Sequence, residues 1–153
     1  MQIVHSFSEI EAEFIKRAHH LVLCNCATVD TRNRPRSRIL HPIWEGRTGW
    51  VTTRGDSLKI KHLAANPFVS LAYIKEPFKP LYVECRAVWN DDLEMRKRIW
   101  EKFRNTPEPL GFDPGLTWGD VTDPYNGLLQ LTAWRIEIND YTLEPSQIKV
   151  WRE

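Results

Sequence analysis

Several things that would simplify a reading are scarce in this sequence. Three cysteines in 153 residues, Cys24, Cys26 and Cys85, do not make a disulfide framework. Cys24 and Cys26 point the same way from one strand and read as small buried residues rather than as a metal or redox pair. No apolar run approaches the ~20 residues that a membrane span needs, and no signal-peptide pattern opens the chain. A reducing cytoplasm is the simplest location. An excess of one charge is missing too. Lys and Arg number 21 against 20 Asp and Glu, a net charge of +1, which gives no general attraction for nucleic acid. No Gly-x-Gly-x-x-Gly run marks a dinucleotide-binding sheet. The nucleophile-elbow pattern is absent, so a Ser-His-Asp arrangement has no supporting context. His5, His19, His20, His41 and His62 show no zinc spacing with a third ligand nearby.

What is there describes one globular domain spanning 1–153, 42% hydrophobic and 27% charged. Seven tryptophans supply large flat apolar surfaces for a core, an interface or a ring-binding cleft. Ser8 and Glu11 form a capping-box pattern, and Ile10, Phe14, Ala18 and Leu21 give a helical stripe, so a helix is predicted over about Ser8 to His20. His19-His20 then stands at a helix C-terminus, where cations are favoured. Strands are predicted over Val22–Val29, Phe68–Ile74, Leu81–Trp89 and Leu128–Ile138, with Tyr141–Trp151 a tail or a further strand. A second helix starts at Asp91 or Asp92, with Met95, Ile99, Trp100 and Phe103 as its apolar face. Residues 105–127, rich in Pro, Gly and Asp, read as a long loop, either a lid over a cleft or a dimer arm. Many strands with few helices at their sides predict a mainly β, α+β fold: a small antiparallel barrel with flanking helices.

The most informative stretch runs from Arg36 to Pro67. Arg36, Arg38, Leu40, Pro42 and Trp44 alternate with Ser37, Ile39, His41 and Ile43, which is strand periodicity. Glu45-Gly46-Arg47-Thr48-Gly49 carries a turn signal, and Trp50 to Thr53 reads as the return strand. A turn centred near Arg47 sets Trp44 opposite Trp50, Pro42 opposite Thr52, and Arg38 beside Asp56 and Ser57. A helix follows, capped by Asp56 or Ser57 and ended by Asn66-Pro67. Its N-terminus offers unpaired N–H groups, a Ser57 hydroxyl and the Lys59 cation, and Arg38 adds a guanidinium that suits phosphate. These residues outline an anion site with no glycine-rich loop. His41 shares a strand with Arg38 and faces either the core or a bound ring. Arg32 and Arg34 read as a solvated loop. Asp91, Asp92 and Glu94 are explained by helix capping.

Arg38-Ile39-Leu40, Thr52-Thr53, Ser57-Leu58-Lys59 and Leu63-Ala64-Ala65-Asn66-Pro67, in that order, resemble the pyridoxamine 5′-phosphate oxidase-like family of flavin-binding split barrels. The resemblance implies an FMN-binding split β-barrel, with the cofactor between two protomers of a homodimer and a small-molecule substrate. It implies that Arg38, Ser57 and Lys59 hold the FMN phosphate. Thr52 and Thr53 would bond the flavin or ribityl chain, Ile39 and Leu40 would supply backbone groups and an apolar wall, and Arg36 and Leu58 would flank them. No side chain stands out as a catalytic acid or base. The chain also departs from the oxidase pattern. Ile43 stands where a lysine is expected, Leu58-Lys59 replaces Arg-Lys, Pro80-Leu81 replaces a glutamine, and no Arg-x-His motif occurs near the C-terminus. These departures argue for flavin-dependent redox chemistry on something other than pyridoxamine phosphate. Related split barrels widen the alternatives to a deazaflavin-dependent reductase or a non-catalytic flavin- or haem-binding protein.

Overall fold

The computed structural model describes residues 1–153. Its strands are β1 (Gln2–Val4), β2 (Cys24–Val29), β3 (Pro35–Leu40), β4 (Ile43–Glu45), β5 (Thr48–Arg54), β6 (Phe68–Tyr73), β7 (Leu81–Trp89), β8 (Asn126–Asp140) and β9 (Gln147–Arg152). Its helices are α1 (Glu11–Leu21), α2 (Leu58–Ala65), α3 (Leu93–Asn105) and the single turn α4 (Gly115–Trp118). All nine strands join one sheet, ordered β1-β9-β8-β7-β6-β2-β3, with β5 added to β8 and β4 to β5. Only β1 and β9 run parallel.

The split lies in β8. One of its edges pairs with β7; the other takes β5 over Asn126–Thr132 and then β9 over Arg135–Asp140. This is the mainly β split-barrel arrangement that the sequence predicts, and its ladder of hydrogen bonds stays open rather than closing into a ring. The inner face of the sheet buries Leu71, Tyr73, Leu81, Val83, Cys85 and Leu131 against Ile10, Phe14, Ala18 and Leu21 of the α1 region. Each such side chain contributes about 1.5–3 kcal/mol by leaving water. Trp44 ties the two layers. Its Nε1–H donates to Tyr73 Oη at 2.9 Å, and its ring meets Phe14 edge-on at 4.9 Å. A second, smaller core joins Ile43, Trp50 and Leu128 to Ile99 and Phe103 of α3.

Three local expectations are corrected. The capping box is Ser6 with Glu9, not Ser8 with Glu11; it opens a 3-10 turn over Phe7–Glu9 that precedes α1. The long hairpin from Arg36 does not form. The chain breaks at His41-Pro42, β3 pairs back onto β2, and only β4 pairs with β5. Pro42 has no N–H to continue a ladder, and Asp30 organises the competing β2–β3 turn by accepting from the Arg32 and Arg34 N–H groups at 2.8 and 3.0 Å. In the short hairpin Trp44 faces Gly49, not Trp50, one residue from the expected register. Gly46 takes a φ of +56° at the turn, where a Cβ would be penalised. The loop over 105–127 contains α4 and is stitched to its own chain. Arg96 Nη2 donates to the Val121 and Asn126 carbonyls at 2.8 and 2.6 Å, and Phe112 packs on Phe103.

Two histidines are tied into the structure through their Nε2 atoms. His19 Nε2 accepts the Trp44 N–H at 3.0 Å, so it is not a helix-end cation. His41 Nε2 donates to the Leu110 carbonyl at 2.6 Å, with its ring against Phe103 and Phe112, so it packs the loop rather than facing an open cleft. Burial, then the Lys102 charge, lowers the pKa of His19; burial lowers that of His41. A folded-state pKa below the unfolded value means that the unfolded chain takes up protons first. The stability is therefore complete above the unfolded pKa and is lost as pH falls through the folded values. Thermal unfolding should show a Tm that drops between about pH 7 and about pH 5. The double substitution His19→Gln and His41→Gln keeps an acceptor and a donor and should flatten that drop. An unchanged slope would contradict the assignment.

Candidate functional site

The inner face of the sheet changes character toward one rim. Along β3 the residues Leu40, Arg38 and Arg36 pass from buried through half-buried to exposed. Opposite them on β2 stand Cys24, Cys26 and Thr28. Alternation puts all six on one face, so the apolar core ends in two arginines. Arg38 Nη1 donates to Thr28 Oγ1 at 2.9 Å.

A second set of groups reaches the same rim from β5 and α2. β5 ends at Arg54, and Gly55-Asp56 turns the chain into α2. The turn needs close backbone approach. Gly55 N–H donates to Tyr125 O at 2.9 Å, and a Cβ on Gly127 would lie 3.0 Å from Thr53 O and 3.1 Å from Gly55 Cα. Ser57 is the N-cap of α2, extended at φ −79° and ψ 158°, yet its hydroxyl caps nothing. Ser57 Oγ is buried without a partner. Two residues on, Lys59 Nζ donates to Thr53 Oγ1 at 2.7 Å.

The electrostatics of the two sets are unusual. Lys59 is half-buried, and its pKa is lowered first by burial and then by the Arg38 guanidinium. Neither cation makes an ion pair, although Arg54 beside them is paired with Asp56 through two hydrogen bonds of 2.9 and 2.7 Å. Their only side-chain partners are hydroxyls. Asp56 attracts Lys59 from a distance but is paired with Arg54, so two positive charges partly withdrawn from water, without an ion pair and with an unsatisfied hydroxyl at a helix N-terminus, are complementary to an anion. The cysteines are not reactive groups here. Burial pushes the Cys26 thiol to about 11 and, with Cys26 beside it, the Cys24 thiol to about 12.

The residues singled out by sequence divide into three groups. Arg38, Thr53 and Lys59 come together through hydrogen bonds and mutual charge, and Ser57 lies at the head of the same helix. Arg38 arrives on β3, which pairs with β2 rather than forming a hairpin with β5. Arg36 is exposed farther along the same face, and Ile39 and Leu58 are exposed apolar residues, 64% and 62% accessible. The Leu40 side chain belongs to the main core, 5% accessible. Thr52 alternates with Thr53 to the other face of β5, and its Oγ1 is buried without a partner. Sequence reasoning missed Thr28 and His62. Both are buried, and Thr28 Oγ1 lies 3.3 Å from His62 Nδ1 beneath Arg38. The available signal was the run Cys24-x-Cys26-x-Thr28, which puts that hydroxyl on the inner face. The loop also reaches this rim: Thr117, Trp118, Asp123 and Tyr125 line an open groove of about 450 Å³ with Arg54.

Comparison with known proteins bears on this arrangement. The family model described as pyridoxamine 5′-phosphate oxidase matches residues 10–109. No curated protein sequence matches the chain. Among solved structures, a Clostridium acetobutylicum protein related to general stress protein 26 superposes with a TM-score of 0.69 at 13% identity, covering 92% of this chain and 94% of that one. A pyridoxamine 5′-phosphate oxidase-related, FMN-binding protein from Nostoc punctiforme gives 0.67 at 14% identity, covering 95% and 88%. A nimC/nimA family protein from C. acetobutylicum gives 0.66 at 15% identity, covering 94% and 92%. At such identities the likeness is one of fold. No helix of the chain is long and apolar enough to cross a membrane.

The uncompensated charge has a consequence for stability. A lysine with a lowered folded-state pKa costs stability wherever it is charged, which includes neutral pH. Lys59→Met keeps the stem and removes the charge. It should raise the Tm of the chain by about 1–4 °C, as expected when a charged side chain is held at a cost to the fold. A lower Tm in a thermal melt would show that the cation is already compensated.

Proposed function

The chain belongs to the pyridoxamine 5′-phosphate oxidase family, and from that premise we propose that it binds FMN, with Arg38, Ser57 and Lys59 holding the phosphate. The observation that carries the reading is the half-buried pair Arg38 and Lys59, which repel each other and make no ion pair, while the Asp56 carboxylate that attracts Lys59 is engaged by Arg54. A phosphate dianion supplies the missing charge. Arg38 keeps free donors beyond the one given to Thr28, and Lys59 keeps two beyond the one given to Thr53. The idle Ser57 hydroxyl fits the same oxygens. Thr53, Arg36, Ile39 and Leu58 border this anchor, and the unpartnered Thr52 hydroxyl offers a further donor on the other face of β5.

FMN, where bound, supplies reversible two-electron transfer, so the protein need only bind, orient and exclude water. Lys59 and Arg38 fix one end of the cofactor. Ile39, which alternates to the opposite face of β3 from Arg38, and Leu58, at the head of α2, are exposed apolar side chains unsuited to water; they suit contact with a second copy of the chain, which supports a homodimer with the cofactor at the subunit interface. Trp118 and Tyr125, at the mouth of the groove beside Gly55, offer faces for a small-molecule substrate. The departures at Ile43, Leu58 and Pro80-Leu81 support a substrate other than pyridoxamine phosphate. A second reading, a protein that holds flavin without turning it over, is favoured by one observation. His41 is tied to Leu110, His62 to Thr28, and the thiols stay protonated, so no free acid or base stands at the site. Reduction of the bound flavin by NADH or NADPH separates the readings.

Arg38→Ala and Lys59→Ala should each weaken FMN by about tenfold to a hundredfold, because a charge-assisted contact is lost. Riboflavin, which lacks the phosphate, should bind nearly as before. Equal losses for both ligands in a fluorescence titration would reject the anchor. Sedimentation of the flavin-loaded chain should show a dimer; a monomer that still holds FMN would reject the shared site.

A further inference from the structure

We infer that Thr28 and His62 are positioning residues that aim the Arg38 guanidinium at the phosphate through a buried relay, His62–Thr28–Arg38. The inference rests on the FMN reading above and extends it to two residues beneath the anchor. Thr28 and His62 are 2% and 7% accessible, so the relay is closed off from water below Arg38. The guanidinium can only donate, so Thr28 Oγ1 accepts its Nη1–H at 2.9 Å. Thr28 Oγ1 also lies 3.3 Å from His62 Nδ1, a contact that is a hydrogen bond in either imidazole tautomer, with the threonine as donor or as acceptor. Thr28 is thereby held from both sides, and the other guanidinium donors are left for a ligand.

The relay spans the two halves of the anchor. Arg38 stands on β3, Thr28 on the neighbouring β2, and His62 on α2, one turn after Lys59. On a helix, residues three apart share a face. The same contacts therefore hold Arg38 at a set distance from Lys59, against their repulsion. A long arginine side chain without such a stop would swing toward solvent, since the Arg36 end of β3 is exposed. Thr28 converts a flexible cation into a fixed one, which is what discrimination of a phosphate requires.

The test is a fluorescence titration of the full-length chain with FMN and with riboflavin, read as the ratio of the two affinities. Thr28→Val keeps shape and removes the hydroxyl; it should reduce the FMN-over-riboflavin ratio by about fivefold to twentyfold. Thr28→Ser restores a hydroxyl and should recover the ratio. His62→Phe keeps a ring without Nδ1 and should reduce the ratio by about twofold to fivefold. A merely structural role would weaken both ligands alike, and that result overturns the inference. A wild-type ratio in Thr28→Val beside a collapsed ratio in Arg38→Ala also overturns it while leaving the anchor standing. An unchanged ratio in Arg38→Ala removes the anchor and the relay together. If Thr28→Val does not fold, His62→Phe decides: a lowered ratio supports the relay and a wild-type ratio rejects it.

Discussion

The repulsion between Arg38 and Lys59 is the interaction around which this rim of the protein is arranged. Side chains of this kind ordinarily extend into water or find a carboxylate. Here both are half-buried and bonded to threonine hydroxyls, which stabilise a cation less than a carboxylate does. The arrangement costs stability in the absence of a ligand and returns it when an anion binds. Such local cost is a common mark of a binding site, because a residue optimised for the fold alone would not be held this way.

The fold produces the encounter through β8. Because β8 exchanges partners along one edge, β5 peels away from the position that β9 occupies and ends beside the open rim. Gly127 lets the Thr53 carbonyl and Gly55 approach closely enough for the chain to turn at once into α2. That turn presents the head of α2 with Ser57 and Lys59. Independently, the β2–β3 hairpin delivers Arg38 from the other side, and its Asp30-ordered turn keeps β3 paired with β2. Packing of α2 on β2 joins the two deliveries, with Leu63 in the core and His62 above Thr28.

Much of this was legible in the residues, and the failures have definite causes. Strand β7 appears over Leu81–Trp89 as predicted, and α3 buries Ile99, Trp100 and Phe103 on the face expected, because both segments carry a strong period. The hairpin failed because alternation from Arg36 to Trp44 persists through a break. Leu40, Pro42 and Trp44 are all buried, but so is Ile43, and only Pro42 hints that pairing changes partner there. The ordered motif singled out Arg38, Ser57 and Lys59, and the structure brings Arg38 within the charge of Lys59 and sets Ser57 at the head of the same helix. Strand alternation from Cys24 and Cys26 could have put Thr28 on the inner face, but its contact with His62, across two strands and a helix, leaves no spacing signature. The stitching of the 105–127 loop by Arg96 was equally hidden, because a guanidinium that binds backbone carbonyls needs no particular partner residue.

The arrangement of charges makes one placement decisive: the position of the phosphorus atom in a crystal structure of the chain grown with FMN. The account predicts the phosphate between Arg38 and Lys59, within hydrogen-bond distance of both and of Ser57 Oγ. A flavin whose phosphate lies elsewhere, or an Arg38–Lys59 pair neutralised by a carboxylate of a second copy, would contradict it.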